Sequence, residues 1–153
     1  MTAPTNTHDI KILNSLIETT LDSADGYREA AEKSDVASHK SLFQRWASDR
    51  RQVVTDLQGQ VRNLGGKPDD DGSVLAAGHR VFLKLRDSVT RGDDSVVDEV
   101  ERGEDFIKAR FEKAQKDDEL SAQVRDAVVR AYASVKVGHD QARDLKRSVH
   151  ARK

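Results

Sequence analysis

The chemistry open to this chain rests on its carboxylates and histidines. It carries 27 Asp and Glu, five His and no Cys among 153 residues. Without a thiol there is no cysteine nucleophile, no disulfide framework and no Cys-based zinc site. The histidines are His8, His39, His79, His139 and His150. No two stand three or four positions apart, so no helical zinc-binding pair is formed within one element. Di-metal centres of helical bundles take one Glu from each of two helices and a Glu-x-x-His pair from each of the other two, because positions i and i+3 share a helix face. That spacing is absent. The third residue after Glu18 is Leu21, after Glu29 is Glu32, after Glu101 is Glu104 and after Glu104 is Ile107. No metal is expected on this ground. Glu18, Asp56 and Glu104 are the candidates for a remnant iron or manganese site should one bind. No residue qualifies as catalytic. Serines near helix starts read as caps, and no glycine-rich phosphate loop follows a strand.

Those side chains must be positioned by helices, because nothing in the chain alternates with the period of a strand. The first segment runs from about His8 to Lys33. Ile10, Leu13, Ile17, Thr20, Ala24, Tyr27 and Ala31 recur at steps of three and four and share one face. Asn6 or Thr7 is placed to cap it. After a break at Ser34-Asp35, a second helix spans about Val36 to Leu64, with Phe43, Trp46, Arg50, Val53, Leu57, Val61 and Leu64 inward. Gly65-Gly66-Lys67-Pro68 stops it. A shorter third helix is expected over Val74 to Thr90, ended by Gly92. A fourth follows over Asp94 to Lys116, with Val97, Val100, Glu104, Ile107, Phe111 and Ala114 inward. A fifth covers Ser121 to Val149, with Val124, Val128, Ala131, Val135, Gly138, Ala142, Leu145 and Val149 inward.

Short breaks make the first and second helices, and the fourth and fifth, antiparallel hairpins. The spacing therefore predicts an all-α fold: a ferritin-like four-helix bundle of two hairpins joined by a helical crossover. The alternative is an irregular five-helix bundle in the same order. One domain over residues 8–149 is expected, with a flexible N-terminus at 1–7 and a basic tail at 150–153. Gly26, Gly59, Gly78, Gly103 and Gly138 fall inside helices. Each costs about 1 kcal/mol against alanine there; close approach of a neighbouring helix would offset it, and the alternative at any one position is a tolerated surface glycine.

Glu104 lies in an inward row, where a lone carboxylate is costly. Arg50, near the middle of the second helix's inward row, is its expected partner. On this reading Arg50 and Glu104 form a buried structural pair.

Charge narrows the partners. Lys and Arg number 26, for a net charge of −1, which argues against a dedicated nucleic-acid binder. The basic C-terminal tail is the only candidate strip for nucleic acid or an acidic partner. No run of 18 apolar residues exists, so no membrane span is expected, and the N-terminus lacks a secretory layout. The expected location is the cytoplasm.

The stretches Leu13–Thr19 and Gly26–Ala31 resemble the opening helix of a bacterial four-helix-bundle family. So do Leu57-Gln58 with Leu64–Pro68, Gly78-His79-Arg80 and Glu101–Asp105, in that order. That family is a domain of unknown function in the ferritin-like superfamily. The resemblance spans about Ile10 to Phe111. It implies the bundle fold and no activity, and it makes a stress-related role plausible. The functional expectation is a non-enzymatic bundle that binds a protein partner or assembles as a homo-oligomer. The alternative is a divergent carboxylate metal-binding protein using iron or manganese without paired histidines.

Overall fold

A computed structural model describes residues 4–70 and 93–151 of the chain. These residues form four α-helices: α1 (Pro4–Lys33), α2 (Ala37–Asn63), α3 (Asp93–Gln115) and α4 (Ala122–Ala151). None of the described residues forms a strand. The helix expected over residues 74–90, and its end at Gly92, lie outside the described residues, as do Gly78 and His79.

α1 begins at Pro4, a turn earlier than its apolar periodicity suggests. Proline is tolerated in a first helical turn, where its missing N–H has no partner to lose. Asn6 and Thr7 are therefore helical residues and do not serve as caps.

α1 packs chiefly on α2, and α3 on α4, while α1 also meets α3 and α2 meets α4. Pairings fix the directions. Tyr27 of α1 meets Glu104 of α3, whereas His8 meets Asp117 just beyond α3's end, so α1 and α3 run antiparallel. The order is up, down, down, up. The chain leaves α2 at the end of the bundle where α1 begins, and enters α3 at the other.

The inward rows of the sequence are buried except at Ile10, Leu64, Gly138 and Leu145, which are partly buried, and they build two apolar clusters stacked along the bundle. Leu13, Ile17, Leu57, Val61, Ile107, Phe111, Val124 and Val128 belong to the one near the α1 N-terminus. Tyr27, Ala31, Phe43, Trp46, Val97, Val100, Ala142 and Val149 belong to the other. Burial at about 25 cal/mol per Å² of apolar surface makes these clusters the main stabilising term.

The ends of the hairpins are closed by specific bonds. α2 stops in a Schellman motif: the Gly66 N–H donates to the Val61 carbonyl at 3.0 Å and that of Gly65 to the Arg62 carbonyl at 2.9 Å. Gly65 has φ +80°, which a side chain would strain. Gly66 then packs on Ile10 of α1. Asn14 holds the following segment on both sides, donating to the Lys67 carbonyl at 3.2 Å and accepting from the Asp69 N–H at 2.9 Å. At the α3–α4 turn, Ser121 caps α4 by accepting the Val124 N–H at 3.3 Å. Buried Asp9 accepts the Ser121 N–H at 3.1 Å.

Candidate functional site

Between the two apolar clusters lies a layer of buried polar groups to which every described helix contributes. α1 supplies Ser23 and Tyr27, which are one turn apart and so share a face. α2 supplies Arg50 and α3 supplies Glu104, each from the middle of its inward row. α4 supplies the Val135 carbonyl and Gly138. Arg50 and Glu104 are 2% and 1% exposed, a degree of burial that Arg and Glu rarely reach unless paired.

The guanidinium is engaged on several sides. Arg50 Nη2 donates to Glu104 Oε2 at 2.6 Å and to the Val135 carbonyl at 3.3 Å. Its Nη1 donates to Ser23 Oγ at 2.9 Å. The guanidinium carbon sits 5.5 Å from the centroid of the Tyr27 ring, within cation–π range. Tyr27 in turn donates its hydroxyl proton to Glu104 Oε1. Both carboxylate oxygens of Glu104 are thus committed. Burial pulls the Arg50 charge down, but the Glu104 carboxylate outweighs it and holds the guanidinium above its ordinary pKa. Burial and the same carboxylate push the Tyr27 phenol well above its usual value, so it stays a donor.

Gly138 has its reason here. A Cβ at that position would stand 2.5 Å from Arg50 Nη2 and 3.5 Å from Cζ. The glycine admits the tip of an arginine, where the sequence suggested a neighbouring helix. Gly26 and Gly103 line a crevice beside the layer with Ser23, Tyr27, Val100 and Glu104. Gly59 follows the alternative, a tolerated surface glycine: nothing stands within 4 Å of the Cβ it lacks. It lines an open groove of about 590 Å³ between α2 and α4.

The other candidate carboxylates lie elsewhere. Asp56 accepts from Gln52 on the exposed face of α2 at 3.1 Å. Glu18 faces Asp69, beyond the end of α2. Burial raises its carboxyl to about 7, aided by the hydrogen bond and charge of Asp69 and by Asp22, and opposed by Arg110. Two sets of three ligating atoms lie within 4.8 Å of one another among the described residues: His8, Asp117 and Glu119, and Glu101, Asp105 and His139. Glu18, Asp56 and Glu104 belong to neither.

Sequence reasoning missed Ser23 and Asp9, and took Tyr27 as apolar lining. The four-residue spacing of Ser23 and Tyr27 on the inward face of α1 was the available signal.

The described residues form an all-α arrangement of four helices around a buried ionic layer. The chain belongs to a family described as a domain of unknown function (DUF2383), whose sequence profile matches residues 8–117. The matched stretch contains Ser23, Tyr27, Arg50 and Glu104 and stops short of α4. A search of curated proteins finds no match.

Proposed function

We propose that this protein is a ferritin-like bundle that acts by binding a protein partner or a second copy of itself, with an ionic layer at its centre in place of a redox metal pair. The up-down-down-up order of the described helices supports this reading, since ferritin-like bundles join two hairpins by one long crossover. One observation carries the reading: the Arg50 guanidinium occupies the middle of the bundle, bonded to the inward carboxylate at 2.6 Å. A fixed positive charge there opposes a second cation, and each Glu104 oxygen already accepts a hydrogen bond that a metal would have to displace or share. The groove between α2 and α4, floored by Val53, Leu57, Ala127 and Ala131, gives a partner apolar surface. Val129 and Val137 on α4 add exposed apolar area. A stress-related role and a cytoplasmic location remain part of this proposal, on the family resemblance alone.

Ferrous iron and oxygen added to the purified chain test the central claim. The expected result is no protein-dependent oxidation above the buffer rate. A saturable rate abolished by Glu104→Ala would overturn it. Light scattering across a dilution series tests self-assembly, with a concentration-dependent mass as the supporting outcome.

A further inference from the structure

α3 and α4 meet along a polar seam on the outside of the bundle. Asp98, Glu101 and Asp105 follow one another on α3 at steps of three and four, so they form one stripe. α4 answers in reverse order. His150 Nε2 stands 2.7 Å from Asp98 Oδ1, Lys146 Nζ 3.5 Å from Glu101 Oε2, and His139 Nε2 2.7 Å from Asp105 Oδ1. His139 differs from His150 in two respects. Its ring is only 12% exposed, against 41% for His150. Its other nitrogen, Nδ1, faces a second carboxylate, Asp140 Oδ1, at 3.2 Å.

We propose that Glu101, Asp105 and His139 form a binding site for a divalent first-row transition cation, with Zn²⁺ the best match, and that Asp140 orients the histidine from behind. The three ligand atoms already lie within 4.8 Å of one another. Zinc ligands at about 2.1 Å in a tetrahedron stand about 3.4 Å apart. Asp105 and His139 therefore need to part by less than about 1 Å, and Asp105 is 58% exposed and free to do so. One imidazole with two carboxylates and no thiolate selects zinc and its neighbours over magnesium and calcium, which take oxygen alone.

Asp140 supplies what a bare cluster lacks. A metal-ligating histidine commonly donates its far ring N–H to a carboxylate, which fixes the tautomer and the ring plane. Asp140 Oδ1 lies 3.2 Å from His139 Nδ1, in place to accept that proton. Nε2 is then the nitrogen that faces Asp105 and the cation. Lys146 works against binding, because its ammonium lies beside Glu101; Arg143, 3.6 Å from Asp140, competes for the orienting carboxylate. The set formed by His8, Asp117 and Glu119 has no such backing: both His8 nitrogens face the two carboxylates of the set itself, and Glu119 is 77% exposed.

Zn²⁺ titrated calorimetrically into the full chain tests the site, in a His8→Ala background that removes the competing cluster. One Zn²⁺ per chain is expected. Adding His139→Ala should abolish binding, and Asp105→Asn should weaken it about tenfold or more. Asp140→Asn should weaken it by about 10–100-fold, the usual effect of losing an orienting carboxylate. Lys146→Gln should tighten it, the opposite sign, because a repelling charge is removed. Circular dichroism checks that each variant folds, and Asp105→Asn, at an exposed position, decides the matter if His139→Ala does not. No heat up to about 1 mM Zn²⁺, the millimolar limit of weak binding, would overturn the proposal. So would binding undiminished by Asp105→Asn, or weakened by Lys146→Gln. Iron oxidation at the bundle centre is a separate readout, so failure here leaves the central reading intact.

Discussion

The central layer and the α3–α4 seam use the same kinds of residue for opposite ends. At the centre, Arg50 and Glu104 meet out of contact with water and each has further bonds to Ser23, Tyr27 or the Val135 carbonyl. On the seam, His150 and Asp98 meet at a similar distance but are each 41% exposed. Water screens the outer pair, and such pairs contribute about 0–1 kcal/mol. The inner pair has lost its hydration, so either member left alone is costly. The centre is therefore fixed in one state and specifies how the helices meet. The seam keeps its water and leaves its side chains room to move.

The largest effect should come from breaking the centre from one side. Glu104→Gln and Arg50→Met should each cost about 3–5 kcal/mol, or about 10 °C in a domain of this size. The double variant Arg50→Met/Glu104→Leu should recover much of that loss in thermal melts. Additive losses would mean that the two side chains are energetically independent, and the contrast with the seam would fail.

Two glycines sharpen the same contrast. Gly138→Ala drives a methyl against the held guanidinium and should cost about 1–3 kcal/mol. Gly59→Ala meets only open space and should stabilise by about 0.5–1 kcal/mol through helix propensity. Stabilisation by both in urea denaturation would show that the layer tolerates displacement, and loss in both would show that Gly59 is not in open space.

Glu18 lies between the extremes, half-buried beside Asp69. Its folded pKa of about 7 stands above the ordinary 4.5, so the folded state binds the extra proton. Its contribution to stability is present in full below about pH 4.5 and is lost as pH rises through about 7. Glu18→Gln should therefore stabilise the protein at pH 8 relative to wild type and flatten the melting temperature across that window. An unchanged pH profile would remove this carboxyl from the account. The smallest effect is expected on the seam, where His150→Gln should change stability by less than about 0.5 kcal/mol.

Periodicity alone determined a good deal. The inward rows of all four described helices appear in the sequence because burial must recur every three or four residues on a helix. The stop at Gly65-Gly66 was legible because a positive φ strongly favours glycine. Arg50 and Glu104 were legible as a pair because two opposite charges in inward slots near the middles of their helices have few other ways to be buried. The tertiary structure alone decided the rest. His8 and Asp117 are 109 residues apart, and Tyr27 and Glu104 are 77 apart; no local pattern records such meetings. That Gly59 faces a groove while Gly138 faces a guanidinium depends on how far neighbouring helices stand apart. Helical propensity treats the two glycines alike, and only packing separates them. His139 likewise sits at an ordinary position on α4, and the two carboxylates that face its ring nitrogens come one from the next residue and one from another helix. A sequence fixes which face of a helix turns inward, because that is a property of one segment. Which atoms meet across the bundle depends on several segments at once, and only the packed structure sets those distances.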